Sequence, residues 1–370
     1  MNIKMAKHSN PQFARDNFQS LDGQWDFGFQ KAKVGFKFST DEKKAVEIRN
    51  GNEFTHKINV PFCPESKLSG IEYTDFIPAV WYRRTVNVTA AQLEGRVILH
   101  FGAVDYETTV YINGKKAGTH KGGYASFKFD VTDYLNEGEN TLIVHAVDDV
   151  RNPLVPRGKQ SEELKSHGCD YTRTTGIWQT VYLEFVKNDY IKNFKVYPNI
   201  ENATLTITAD LVGKGDFKAT AFWDGKAVGV AESKVLGQTV TVTLNLTEKH
   251  LWEVGKGGLY SINLSFGGDE VSSYFGLREV RLDGFKFLIN GKSVFQRLVL
   301  DQGFYPDGIY TAPTDEALRH DIEMSMAMGF NGARLHQKVF EQRFLYWADH
   351  LGYIVWGEFP DWGIDYSRSD

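Results

Sequence analysis

The sequence predicts a multidomain chain, two β-sandwiches followed by a parallel sheet with helices between its strands. Three observations carry that expectation. Short alternating strands divided by turn residues fill residues 1–185, about seven more crowd into residues 186–282, and residues 283–370 switch to a strand, helix, strand, helix, strand pattern.

In the first unit, residues 21–29 (LDGQWDFGF) and 81–88 (WYRRTVNV) alternate apolar with polar side chains, as a strand with one buried face requires. Arg96–Phe101 leads to residues 108–112, which turn at Asn113-Gly114, the strongest hairpin signal in the chain. Residues 127–131 and 141–147 continue the series, divided by the polar turn 136–140. Residues 150–171 (VRNPLVPRGKQSEELKSHGCDY) are then an irregular excursion, with Pro, Gly and mixed charge but no period. Excursions of that length serve a site or stay disordered.

In the second unit the strands expected are 194–197, 203–211, 218–223 turning at Asp224-Gly225, 239–246 and Leu259–Phe266. They fit an immunoglobulin-like sandwich that acts as a spacer, holding the first unit against the third.

The third unit opens with an apolar strand at 294–300 (VFQRLVL) and a helix at 314–328 (TDEALRHDIEMSMAM). Thr314 is the expected N-cap, Asp315 and Glu316 place negative charge at the positive end of the helix dipole, and Gly329 suits the C′ position. Leu318, Ile322 and Met326 share one face. A strand at 331–335, a helix over Gln342–Leu351 with Phe344, Trp347, Ala348 and Leu351 inward, and a strand at 353–357 complete a parallel sheet. A doubly wound sheet would carry a Gly-rich turn after its first strand. Instead the chain runs DQGFYPDGIYTAPTDE, a polar and aromatic loop of the kind βα barrels use to build active sites. Because a complete barrel takes about 250 residues and roughly a third of that is present, the expectation is three strands of eight, in a chain that is cut.

Composition excludes several classes. With 42 basic and 47 acidic residues the net charge is -5, which gives no support for nucleic-acid binding. Hydrophobic residues at 42% and aromatics at 14% fit a folded protein, and the rings suit sugar stacking and β-sandwich cores equally. Cys63 and Cys169 lie in no metal-ligand spacing, so buried free thiols, no metal and no cofactor are expected. The N-terminus MNIKMAKHSNPQFARDNF carries charge but no apolar core, and no apolar run could span a membrane. A cytoplasmic location is the default expectation, periplasmic or secreted if a signal has been removed.

The motifs LDGQWDF, PFCPESKLSG, WYRR, VDYETTVYINGK and DYTRTTGIWQTVYLE, with FQRLVLDQGFYPDGIYTAPTDEALRHDIEMSMAMGFNGARLHQK and YWADHLGYIVWGEFP, resemble glycoside hydrolase family 2, the β-galactosidases, β-glucuronidases and β-mannosidases. The resemblance implies a jelly-roll sandwich, an immunoglobulin-like sandwich and a TIM-type βα barrel. It also implies retaining hydrolysis of β-glycosides, a β-galactosidase-like activity first, through two glutamates that follow barrel strands four and seven. Neither strand is expected here, so no catalytic residue is assigned and the stretch is expected to be inactive alone. Glu358 lacks the Asn-Glu context of the family acid/base.

What carries over is the rim of the sugar pocket. Asp170 matches a family position from which a first-domain loop reaches into the barrel and accepts substrate hydroxyls, and Arg173 supports that loop. The plainer reading pairs Asp170 with Arg173 as a surface ion pair. Asp301, Arg334, His336 and Glu358 close the first three barrel strands and are expected to face one mouth, Arg334 binding sugar or bracing the strand ends. The family's histidine-rich stretch after strand one is replaced by DQGFYPDG, which speaks against a typical galactosidase or glucuronidase pocket and any metal it supports. Two other readings stay open, a non-catalytic carbohydrate-binding protein and one half of a split enzyme. The expected partners are a carbohydrate and, through the unpaired apolar edge YIVWG, a second copy of the chain or another molecule.

Overall fold

The computed structural model describes residues 8–31, 53–235 and 237–367, and it is mostly β. Residues 18–186 form two large antiparallel sheets and a two-stranded one, Val104–Asp105 with Gly176–Ile177. One large sheet has six strands, in the order His56–Val60, Gly23–Gln30, Ala79–Val88, Gly138–Val147, Glu107–Ile112, Lys115–Lys121; the other has four, in the order Phe18–Ser20, Val181–Val186, Arg96–Phe101, Phe127–Asp130. The alternation read from LDGQWDF puts Trp25 and Phe27 inward, where they meet Tyr82, Leu99 and Phe101 in the core. Trp81 departs from the pattern. It points to the outer face, yet stacks on His145 with ring centres 4.4 Å apart and is buried there with Phe54 and Val147.

Both anticipated hairpin turns are present, with Asn113 and Gly114 at φ 50° and 79° and Asp224 and Gly225 at 46° and 79°. Their return strands, Lys115–Lys121 and Lys226–Lys234, were not expected. Each lies at a sheet edge, where one ladder partner and partial burial leave the apolar alternation weak.

Seven antiparallel strands make the second unit. Tyr190–Asn199, Thr204–Val212 and Thr239–Asn245 face Lys226–Lys234, Asp216–Trp223, Leu259–Phe266 and Asp269–Gly276 across a core that includes Leu205, Ile207, Phe217, Tyr260 and Phe266. A small antiparallel sheet, Val280–Asp283, Lys286–Ile289 and Lys292–Ser293, follows.

The last unit contains strands β1 (Leu298–Asp301), β2 (Gly332–Leu335) and β3 (Ile354–Gly357), with helices α1 (Asp315–Ala327) and α2 (Gln342–Leu351) between them. The strands are parallel, in the order β1-β2-β3. β1 begins at Leu298 and not at Val294, because β2 offers four partners and Asn331 caps their start, donating to the Phe295 carbonyl and accepting from Arg297 N–H. Thr314 caps α1 by accepting from Ala317 N–H at 3.2 Å. Leu318 and Ile322 of α1 and Phe344 and Ala348 of α2 cover one face of the sheet, packing on Ala333 and Leu335. Tyr346 points the other way, into Tyr274 of the second unit, with ring centres 5.6 Å apart.

Polar locks hold the units together. The buried Arg15 guanidinium donates to both carboxylate oxygens of Asp269 at 2.9 and 2.8 Å, to Glu184 at 3.0 Å and to the Ile191 carbonyl at 2.6 Å. It thereby ties the N-terminal arm to both sandwiches. Burial pushes the Glu184 carboxyl up, but His100, Arg15 and His8 outweigh it and hold the group at about 2. On the far side, Trp252 donates to the Asp349 carbonyl of α2 at 2.7 Å.

The two cysteines are free, as expected, but only Cys63 is buried. Cys169 is exposed because it sits on the irregular excursion and not in a sheet. Among the described residues no helix is long and apolar enough to cross a membrane.

Replacing Arg15 with Met leaves two buried carboxylates without their cation. The variant is expected to lose about 3–5 kcal/mol of stability, and chemical unfolding of both proteins side by side checks it.

Candidate functional site

Strand register decides which side chains share a face. Leu300, Arg334 and Trp356 are aligned across the parallel sheet, as are Asp301, Leu335 and Gly357. Leu335 packs under the helices, so its row belongs to the covered face and the Arg334 row to the open one. Leu300 and Trp356 are accordingly 51% and 49% exposed. His336 and Glu358 lie two residues beyond Arg334 and Trp356, on the open side at the carboxyl ends of the strands.

Glu358 gathers this end of the sheet. Its carboxylate accepts from Arg334 Nε at 3.1 Å, from the Gln337 N–H at 2.9 Å and from His336 Nδ1 in a short contact. Burial pulls the carboxyl upward, but the hydrogen bonds from His336, Gln337 and Arg334 outweigh it and keep the group below its usual range. These side chains line an open depression of ≈ 640 Å³ together with Gln337, Phe359, Asp361 and Trp362.

Three of the expected barrel residues, Arg334, His336 and Glu358, therefore meet. Asp301 does not join them. Its place in the Leu335 row turns it toward Lys338, Asp321 and Glu341; it accepts from Gly303 N–H at 2.8 Å, and burial raises its carboxyl pKa. Lys338 holds the loop after β1, donating to the carbonyls of Gly303 at 2.8 Å and Tyr310 at 2.6 Å.

The excursion of the first unit reaches this mouth. Arg157 N–H donates to the Trp362 carbonyl at 2.8 Å, and Asp365 N–H to the Pro153 carbonyl at 2.8 Å. Asp170 pairs with Arg157 at 3.2 Å, not with Arg173 as the plainer reading had it. Arg173 is 2% exposed and donates to the carbonyls of Ser161, Glu163, Leu164 and Thr74, which fits the expected bracing of the loop. Tyr171 packs on Phe304 of the loop after β1, with ring centres 4.7 Å apart.

A buried polar hub anchors the excursion. Gln160 donates to Asp105 at 2.7 Å and accepts from Thr174 N–H at 2.8 Å, while Glu65 accepts from the Thr175 hydroxyl at 2.6 Å and its N–H at 3.2 Å. Complete burial raises the carboxyls of Glu65 and Asp105 to about 7 each.

Sequence reasoning missed Gln337, Asp361, Trp362, Arg157 and Lys159. Each acts through contacts between segments far apart in the chain, and only the unusual length of the excursion pointed toward it.

Residues 18–185 match the family model described as the sugar binding domain of glycosyl hydrolases family 2. A putative beta-glucuronidase of Formosa agariphila is 26% identical over 337 residues, which cover 86% of this chain and 39% of that protein. A beta-galactosidase of Thermoanaerobacter pseudethanolicus is 27% identical over 302 residues, 76% of this chain and 39% of that protein. The chain thus spans about two-fifths of the length of either relative. Among solved structures, the beta-glucuronidase of Ruminococcus gnavus superposes with a TM-score of 0.76 at 20% identity, covering 94% of this chain and 60% of that one; the likeness is one of fold.

A carboxyl whose folded pKa is raised contributes its stability in full below its unfolded value and loses it as pH climbs through the folded one. For Glu65 that window runs from 4.5 to about 7. Urea midpoints are expected to fall as pH rises from about 4.5 to about 7 and to level off above that, and Glu65→Gln to remove on the order of 3 kcal/mol of that fall. Matching unfolding curves of the two proteins test it.

Proposed function

Starting from a chain that belongs to glycoside hydrolase family 2 and matches the N-terminal portion of its members, we propose that these residues supply the sugar-binding rim of a retaining β-glycosidase. In this reading residues 1–185 are the jelly-roll sugar-binding domain, residues 186–282 the immunoglobulin-like spacer, and β1 to β3 the opening strands of a TIM-type barrel. The supporting observation is the meeting of Arg334, His336 and Glu358 at the strand ends with the excursion that carries Asp170.

The division of labour follows from the geometry. Retaining hydrolysis needs two carboxyl groups about 5–5.5 Å apart, one to protonate the leaving oxygen and one to attack the anomeric carbon. Glu358 suits neither task. An acid must hold a proton, whereas this group is kept ionised; a nucleophile must be free to reach the anomeric carbon, whereas Arg334, His336 and Gln337 tie both of its oxygens to the protein. Its role is to fix Arg334 and His336. Arg334 keeps donors to spare and stands more than half exposed on the open face, where a sugar hydroxyl or ring substituent can accept from it. Asp170, oriented by Arg157, offers acceptors to hydroxyl protons from across the mouth. Beta-galactosides and beta-glucuronides are the two substrate candidates that the relatives' names suggest.

A second reading concerns partners. Leu300 and Trp356, which flank Arg334 on the open face, and Phe359 in the wall of the depression are exposed apolar side chains, which favours association of this face with another polypeptide surface, a second copy included.

These 370 residues are expected to bind an aryl β-glycoside without cleaving it. A colorimetric assay should read as buffer does, while saturation-transfer NMR detects the bound glycoside; Arg334→Ala should weaken that binding about tenfold, the loss of one charge-assisted hydrogen bond. Turnover above buffer contradicts the proposed division of labour.

A further inference from the structure

Trp362 sits in the turn after β3, and both of its backbone groups are fixed. Its N–H donates to Gln337 Oε1 at 3.0 Å, and the same oxygen accepts from Asp361 N–H at 3.0 Å. Its carbonyl accepts from Arg157 at 2.8 Å and Gly158 at 3.2 Å, both in the excursion of the first unit. The approach needs glycine. At φ +57°, Gly158 sits where a Cβ would lie 2.5 Å from the Gln337 carbonyl oxygen and 2.9 Å from Tyr124 Oη.

The ring is held as firmly as the backbone. Lys159 Nζ lies 3.5 Å from its centroid, and the His336 ring stands perpendicular to it at 5.7 Å. Lys159 is only 3% exposed, yet among the described residues no carboxylate lies within ion-pairing distance of its ammonium. Lys338, equally buried, shows what a compensated ammonium looks like here, with two carbonyls and Glu341 at 3.6 Å. Lys159 has the indole face in their place, and a cation over an indole gains strength as water is excluded. The cation thereby occupies one face and fixes the tilt of the ring. The residue keeps 37% exposure and lines the depression with Arg334, His336 and Glu358.

We propose, resting on the sugar-site reading above, that Trp362 is the stacking platform for a pyranose ring and that Lys159 is its positioning residue. A pyranose has an apolar C–H face and a rim of hydroxyls. An open indole beside a guanidinium matches both, with the ring taking the C–H face and Arg334 a hydroxyl. The first unit then contributes more than Asp170 to the pocket, because it sets the angle of a wall belonging to the last unit. The competing explanation is a clamp that joins two units and has no part in binding.

The experiment compares the full chain with Lys159→Met, Lys159→Arg and Trp362→Ala, using p-nitrophenyl β-galactoside and p-nitrophenyl β-glucuronide as probes in saturation-transfer NMR titrations. Unfolding midpoints are recorded for all four proteins, and Trp362 emission is obtained by difference from Trp362→Phe. Expected are a loss of about tenfold or more in affinity for Trp362→Ala and about three- to tenfold for Lys159→Met, with a red-shifted Trp362 emission. Lys159→Arg should retain more of the affinity than Lys159→Met, since a guanidinium over the indole keeps the cation–π contact. If the unaltered chain binds a probe and Lys159→Met binds it equally well, the positioning role falls while the sugar site stands. The positioning role falls too if affinity drops only in step with the unfolding midpoint. If the unaltered chain binds neither probe, the sugar-site reading falls and the platform with it.

Discussion

The docking of the first unit's excursion onto the ends of the parallel strands is the constraint on which the rest depends. Two backbone N–H groups, from Arg157 and Gly158, converge on one carbonyl, that of Trp362, and the side-chain amide of Gln337 grips the same turn from the other side. A three-stranded sheet with one bare face has little reason to order the loop beyond its last strand. Here the loop is ordered by a segment more than two hundred positions earlier in the chain. In the same docking Lys159 reaches the Trp362 ring, Tyr171 packs on Phe304, and Asp170 is tied to Arg157.

Such a contact holds only if its two sides keep a fixed relation, and the polar interior supplies this. Arg15 locks the sandwiches to one another, and Trp252 and Arg278 lock the second sandwich to Asp349 of α2. Inside the first unit, Gln160 bridges Asp105 and Thr174, so the excursion leaves from a buried anchor. Buried ionic groups are costly unless they are paired, and Arg15 meets carboxylates from both sandwiches. The second sandwich is thus held by hydrogen bonds to the first unit at one end and to α2 at the other.

Much of this was legible in the sequence, for physical reasons that also mark where reading stopped. The parallel unit announced itself through local chemistry, since the Thr314 cap, the acidic first turn and the apolar faces of α1 and α2 need no knowledge of the rest of the chain. The Asn-Gly and Asp-Gly turns were equally local. Asp301 was misplaced because a strand's end says nothing about its parity, and one residue of phase separates the Arg334 row from the Leu335 row. Edge strands were missed where burial is one-sided. Trp362 and Lys159 were invisible because their meaning lies in a contact between distant segments, and neither sits in a periodic pattern.

A crystal structure of the chain soaked with a β-glycoside tests the central claim most directly, that the excursion and the strand ends together form one sugar site. The account predicts a pyranose in the depression, with hydroxyls in hydrogen-bonding distance of Arg334 and Asp170 and its C–H face on Trp362. A sugar bound on the first sandwich alone, away from the ends of β1 to β3, would contradict it.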